Sequence, residues 1–154
     1  MNIHKEIKSK ILSATTKAEE RKIGVEIESF YYSDIKLSRI PVNDIGQYSA
    51  SDLLNNIEYL KLKNNDNYSY SLEPGGQLEW ASSPLISLWE IEHEYEKHLK
   101  HQHQLCKKNN IYTAYFSVDP ISLPHEIELI DSKKYLLMND MFKKTGNLGQ
   151  WMMR

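Results

Sequence analysis

Residues 71–80, SLEPGGQLEW, constrain the fold more than any other ten residues of this 154-residue chain. Proline presets φ at the first position of a corner and glycine supplies the positive φ that follows. Pro74-Gly75-Gly76 therefore reads as a type II turn joining two strands. Alternation along the second strand places Gln77, Glu79 and Ala81 on one face, opposite Leu78 and Trp80. With Glu73 closing the first strand, two carboxylates flank one corner. Upstream, KIGVEIESF alternates in the same way, with Ile23, Val25, Ile27 and Ser29 on one face and Gly24, Glu26, Glu28 and Phe30 on the other. The expectation is a sheet whose apolar face packs on helices and whose acidic face looks into a cleft.

The other elements follow from periodicity and caps. Apolar residues at 3, 7, 11, 14 and 18 predict a helix over 3–21. SASDLLNNIEYLKLK predicts a short surface helix capped by Ser49 or Ser51. Residues 64–67 are a turn. Ser83-Pro84 predicts the start of a long helix running to about Lys108, buried along Leu85, Leu88, Ile91, Tyr95 and Leu99. A strand is expected over 111–118, a loop around Pro120 and Pro124, and a helix between a Ser132 cap and Gly146. The apolar run GQWMMR reads as strand. Mixed helices and hairpins predict one α+β domain over 1–154, with a helix at 3–21 and a core from 22 onward, built on a largely antiparallel sheet.

Charge narrows the function. With 19 basic against 21 acidic residues the formal charge is −2, so no long-range field favours nucleic acid or an anionic membrane. No stretch approaches the ~18 consecutive apolar residues of a membrane span, and MNIHKEIKSK lacks the apolar run of a secretory signal. Cys106 has no second cysteine to pair with. A cytoplasmic protein is expected.

Inward carboxylates on neighbouring strands repel one another and lose hydration, at a cost of order several kcal/mol unless cations or donors compensate. Oxygen ligands favour hard cations, so Mg²⁺ or Mn²⁺ suits Glu26, Glu28, Glu73 and Glu79 better than zinc. The histidines at 93, 98, 101 and 103 do not form a comparable set. His98 lies five residues after His93, about 140° round a helix of ~3.6 residues per turn. They are expected on a solvated face, with Cys106 packing at the helix end. Lys143-Lys144-Thr145-Gly146 sits at a helix C-terminus, the wrong pole for an anion.

In this order, KIGVEIESF, YSLEPGGQLEWASSPL and KKYLLMNDMFKKTGNLGQWMM resemble the plant and proteobacterial type of glutamate-cysteine ligase. That family's pattern runs I-G-x-E-x-E, S-L-E-P-G-G-Q-x-E-x-S-x-x-P, R-Y-x-I-M and G-x-x-G-x-x-M-M. The resemblance spans residue 23 to the end, and its L-E-P-G-G-Q-x-E block is the specific part. It implies a glutamine synthetase-like fold with a curved antiparallel sheet. It also implies ATP-dependent coupling of the γ-carboxylate of L-glutamate to the amine of L-cysteine, the first step of glutathione biosynthesis, with Mg²⁺ or Mn²⁺.

By the same resemblance Glu26, Glu28, Glu73 and Glu79 are catalytic residues and metal ligands. Gln77, Tyr135, Met138 and Met152 are candidate substrate contacts, with Met153 completing the M-M pair. ATP would not lie on a P-loop, whose motif is absent from the sequence. Lys134 stands where the family usually has arginine, and Trp80-Ala81-Ser82-Ser83 replaces L-S-G-A. The family's T-x-Q-x-N strand is not in the chain, so the resemblance implies an N-terminal, incomplete portion, inactive alone. The alternatives are a non-catalytic subunit that assembles with a C-terminal half or with copies of itself, and a related ligase with another amine acceptor.

Overall fold

β1 (Glu26–Ser33) forms where small, β-branched and aromatic residues alternate with acids, and it becomes an inner strand of a four-stranded sheet. The structure, a computed structural model, describes residues 3–35, 37–146 and 148–154. β2 (Ser69–Leu72), β3 (Leu78–Ala81) and β4 (Ile111–Ala114) complete the sheet in the order β2-β3-β1-β4, with every pairing antiparallel. β1 divides its partners. Glu26 to Ser29 pair with β3, placing Glu28 opposite Glu79, and Phe30 to Ser33 pair with β4. The α+β class expected from the sequence is the class observed.

One face of this sheet carries the core. α2 (Ala50–Lys63) and α3 (Leu88–Asn109) cover Tyr31, Tyr70, Leu78 and Trp80, and Leu53 and Ile57 of α2 have no exposed surface. α2 starts where Ser49 accepts from the Asp52 amide and Asp52 accepts from the Ser49 amide, a reciprocal cap. α4 (Lys133–Thr145) begins after Ser132 and ends at Gly146, the bounds its sequence predicts, although the Ser132 side chain makes no capping hydrogen bond.

Four local expectations give way to stronger competitors. The long helix starts at Leu88, because Ser87 and Glu90 form a capping box while Leu85 pairs in extended form with Ile23. Ser83 instead bonds Glu94 of α3 through both its amide and its hydroxyl. α1 (Ile3–Ser13) stops well short of residue 21, where Ser13 and Thr15 turn their hydroxyls back onto Lys10 and Leu12 carbonyls. β4 ends at Ala114, and the Tyr115 hydroxyl turns to Gln102 on α3. The final apolar run is a helical turn, α5 (Gly149–Met152), and not a strand.

The corner also differs from expectation. Gly76 donates to the Glu73 carbonyl at 2.8 Å and Glu73 donates to the Gln77 carbonyl at 2.9 Å. The positive φ, +81°, belongs to Gly76 and not Gly75. This is a type I turn followed by a left-handed glycine, the three-residue hairpin loop with a bulge. A Cβ on Gly76 would press on Val42 and Ala50 at 3.1–3.3 Å, so packing as well as φ requires glycine there.

The largest correction concerns the histidines. His98 and His101, expected on a wet face, are 1% and 9% exposed and face the sheet. His98 lies within 5.6 Å of the Trp80 ring, centroid to centroid and nearly parallel, with Nδ1 3.0 Å from the Tyr70 hydroxyl. His101 meets the Tyr68 hydroxyl at 3.2 Å and the Asn64 amide at 3.1 Å. Tyrosines on β2 and just before it supply the polar partners that let imidazoles replace leucines on this face. Cys106 packs partly buried against the core, as expected.

Candidate active site

The other face of the sheet carries the acids. Glu28 lies directly across from Glu79, and Ser71 faces Glu79 from the far side and donates to its Oε1 at 2.8 Å. Glu73 follows β2 by one residue, and its amide bond to Gln77 holds it in line with Ser71 and Glu79 on the same face. The result is a cluster in which carboxylate oxygens of Glu28, Glu73 and Glu79 all lie within 4.8 Å of one another. Residues 45 and 51 positions apart in sequence meet because the β1–β3 register sets Glu28 opposite Glu79 and the hairpin brings Glu73 alongside.

Burial and crowding act together on two of these groups. Glu28 and Glu73 are held above the ordinary glutamate range, first by lost hydration and then by each other's neighbours: Glu79 and Glu26 act on Glu28, and Glu28 and Glu79 on Glu73. Lys134, at the start of α4, is the cation that pulls Glu73 back, and its ammonium also lies 5.1 Å from the Tyr135 ring centroid. The donor set suits a hard divalent cation. Octahedral oxygen ligands at about 2.1 Å stand about 3 Å apart when adjacent and about 4.2 Å when opposite, within the spread of these oxygens.

The predicted residues divide by placement. Glu28, Glu73 and Glu79 come together; Glu26 sits one face-repeat along β1, opposite Ala81, exposed and outside the cluster. Gln77 is buried, and its Oε1 has no hydrogen-bond partner among the described residues. Tyr135 reaches the sheet, donating to the Leu72 carbonyl at 3.2 Å, and burial, then the charges of Glu73 and Glu79, raise its phenol. Met138 is half-buried on α4. Met152 is 76% exposed, and its neighbour Met153 is the buried member of the pair.

Two participants escaped sequence reading. Ser71 was legible in principle, two residues before Glu73 and therefore on its face. Arg39 was not. Its guanidinium lies 4.6 Å from the Phe30 ring centroid and bonds Asp119, eighty residues away, at 3.2 Å.

Against known sequences, the model of the family described as glutamate-cysteine ligase family 2 matches residues 22–154, which contain every residue of this site. None of the curated proteins matches.

Proposed function

Because the chain belongs to glutamate-cysteine ligase family 2, a family of carboxylate-amine ligases, we propose that its acidic sheet face is the cation- and phosphate-binding side of an ATP-dependent ligase site. The meeting of Glu28 and Glu79 on neighbouring strands with Glu73 at the hairpin corner carries this reading. These carboxylates would hold Mg²⁺ or Mn²⁺, which when bound would supply positive charge to offset the negative charge gathering at a transferred phosphoryl group.

The reaction is coupling of the γ-carboxylate of glutamate to the amine of cysteine. A γ-carboxylate oxygen attacks the γ-phosphorus of ATP; the new O–P bond forms as the bond to the β-phosphate oxygen breaks, releasing ADP. The amine nitrogen then attacks the acyl carbon, phosphate leaves with its bonding electron pair, and the nitrogen loses a proton to give the amide. No protein nucleophile enters this balance, in keeping with a site built of carboxylates. Within it, Ser71 fixes the Glu79 carboxylate by its hydrogen bond. Lys134 offers a positive charge that acts on Glu73 and is suited to a substrate carboxylate or phosphate, as a point charge where a guanidinium would give a fork. Buried Gln77, with an unused acceptor, suits an ammonium or amide donor of a substrate.

Cysteine as the amine belongs to the same proposal. Mn²⁺ titration followed by electron paramagnetic resonance tests its foundation. The chain is expected to bind Mn²⁺ and to lose at least tenfold in affinity on Glu79→Gln. A wild-type chain without Mn²⁺ binding would remove the basis of the assignment. With that established, ADP release requiring both glutamate and an amine identifies the acceptor.

A further inference from the structure

We propose that Arg39 is a positioning residue for the acid cluster, acting through the backbone of the corner and not through its charge. The inference rests on the reading of Glu28, Glu73 and Glu79 as a cation site and adds to it the device that sets Glu73.

Arg39 follows a short loop from β1 and returns to pair with it, opposite Tyr32, with the Ile40 amide donating to the Tyr31 carbonyl. Glu28, Phe30 and Tyr32 alternate onto one face, so Arg39 lies over the continuation of the acidic face. Its side chain is 6% exposed. A cation there would ordinarily be assigned to neutralising the glutamates. The charge of Arg39 is taken by Asp119 instead. Asp119 is itself fixed by the Tyr32 hydroxyl at 2.9 Å and by the amides of Ile121 and Ser122 at 2.9 and 3.0 Å.

A second guanidinium nitrogen, Nη2, donates to the Gly75 carbonyl. That bond completes the corner. The Glu73 carbonyl accepts from Gly76, the Pro74 carbonyl from Ile130, and the Gln77 carbonyl from Glu73. Gly75 is also closely packed, since a Cβ there would fall 2.7 Å from the Arg154 Cα and 2.9 Å from the Met153 carbonyl. Three glutamates that repel one another open the corner outward unless something holds it. A planar donor, clamped by Asp119 at one nitrogen and stacked on Phe30, holds the turn at the residue pair that carries Glu73.

Mn²⁺ titrations of purified wild-type chain and of Arg39→Met, Arg39→Lys, Tyr32→Phe and Glu79→Gln, each below its own melting temperature, test this. Arg39→Met leaves Asp119 with three donors, and Met matches the volume of the stem. It is expected to weaken Mn²⁺ binding by tenfold or more in protein that is folded by near-ultraviolet circular dichroism. Arg39→Lys, which keeps a donor but not the fork, is expected to recover part of that loss. Tyr32→Phe, which loosens only the clamp, is expected to weaken binding two- to threefold.

A role confined to stability would lower the melting temperature and leave the affinity of the folded protein unchanged. Folded Arg39→Met with wild-type affinity overturns the proposal. If Arg39→Met does not fold, unchanged affinity in Tyr32→Phe overturns it instead. Wild-type protein that binds no Mn²⁺, or binds it equally after Glu79→Gln, sinks the cation-site reading and this inference with it; that pattern differs from the first two.

Discussion

The two faces of one sheet treat ionisable side chains in opposite ways. Trp80 and Glu79 are neighbours in sequence, yet Trp80 is 1% exposed among aromatic rings while Glu79 joins two other carboxylates. On the helix-covered face, histidine, tyrosine and asparagine side chains come in complementary pairs, although the buried Trp80 Nε1 has no hydrogen-bond partner among the described residues. Asn64 can donate to His101, His101 to Tyr68 and Tyr68 to Asp66, with Lys97 closing the chain at 2.9 Å from Asp66. On the acidic face, like charges meet, and Ser71 is the hydrogen-bond donor that reaches Glu79. A satisfied network serves the fold. A cluster in which burial and then like charge raise Glu28 and Glu73 is organised for something else, and that contrast is what marks the site.

Substitution at the adjacent pair gives the largest expected difference. Trp80→Ala removes a side chain that packs on Tyr68, Tyr95 and His98. It should cost about 3–5 kcal/mol, or roughly 6–20 °C in melting temperature for a domain of this size. Glu79→Ala, one residue away, should move the melting temperature by no more than about 2 °C, in the direction of greater stability. Thermal melts of the two variants measure this, and comparable losses in both would erase the contrast.

The faces should also respond to pH with opposite signs. Burial pushes the His98 imidazole down to about 4 from an ordinary 6.5. The unfolded chain therefore takes up its proton first as pH falls. The stability this group contributes is complete above about pH 6.5 and is lost progressively down to about pH 4, some 3 kcal/mol in all at ~1.36 kcal/mol per unit. Glu28 and Glu73 are raised, so the folded state holds their protons more tightly. Their ionisation costs stability as pH rises from the ordinary 4.5 through the raised values. Denaturant midpoints between pH 4 and 7 should rise with pH in the wild type. His98→Phe should flatten or invert that slope, whereas Glu73→Gln should steepen it; an unaltered slope in His98→Phe would show that another group governs it.

These faces were unequally legible in the sequence. Alternation at Val25-Glu26-Ile27-Glu28 and at Leu78-Glu79-Trp80 fixes which side each residue takes, because strand period is a local property. The meeting of Glu28, Glu73 and Glu79 followed from the resemblance and from those sides. The register that sets Glu28 opposite Glu79, and leaves Glu26 outside the cluster, depends on the whole hairpin. His98 and His101 were misread because their burial is decided by Tyr70 and Tyr68, some thirty residues distant, which supply partners that no helical periodicity reveals. Arg39 and Asp119 meet through tertiary contact alone. Local competition, Ser87 against Ser83 for the helix start, displaced a boundary without changing the element.

A divalent cation should act on one face only. If it binds the folded acid cluster and not the unfolded chain, wild-type stability rises by RT ln(1 + [M]/Kd), about 1.4 kcal/mol at tenfold excess over Kd. Mg²⁺ or Mn²⁺ should then raise the melting temperature by roughly 3–6 °C, while Ser49→Ala or Cys106→Ser, on the other side of the sheet, should leave that increment intact. An increment also present in Glu73→Gln would place the cation elsewhere.

The smallest effect is the most discriminating. Without cation, Glu73→Gln keeps the shape of the corner and removes one of three like charges, so it should stabilise the chain by a few tenths of a kcal/mol, close to the limit of a melting experiment. Its sign still matters. A structural acid, held by donors, loses stability when neutralised; an acid held in place against repulsion gains it. Glu79, which accepts from Ser71, should gain less from neutralisation than Glu73, whose charge is answered by Lys134 alone among the groups that shift it. If Glu73→Gln is clearly destabilising in the absence of any cation, the acidic face is built for the fold in the same manner as the histidine face, and the distinction between the two disappears.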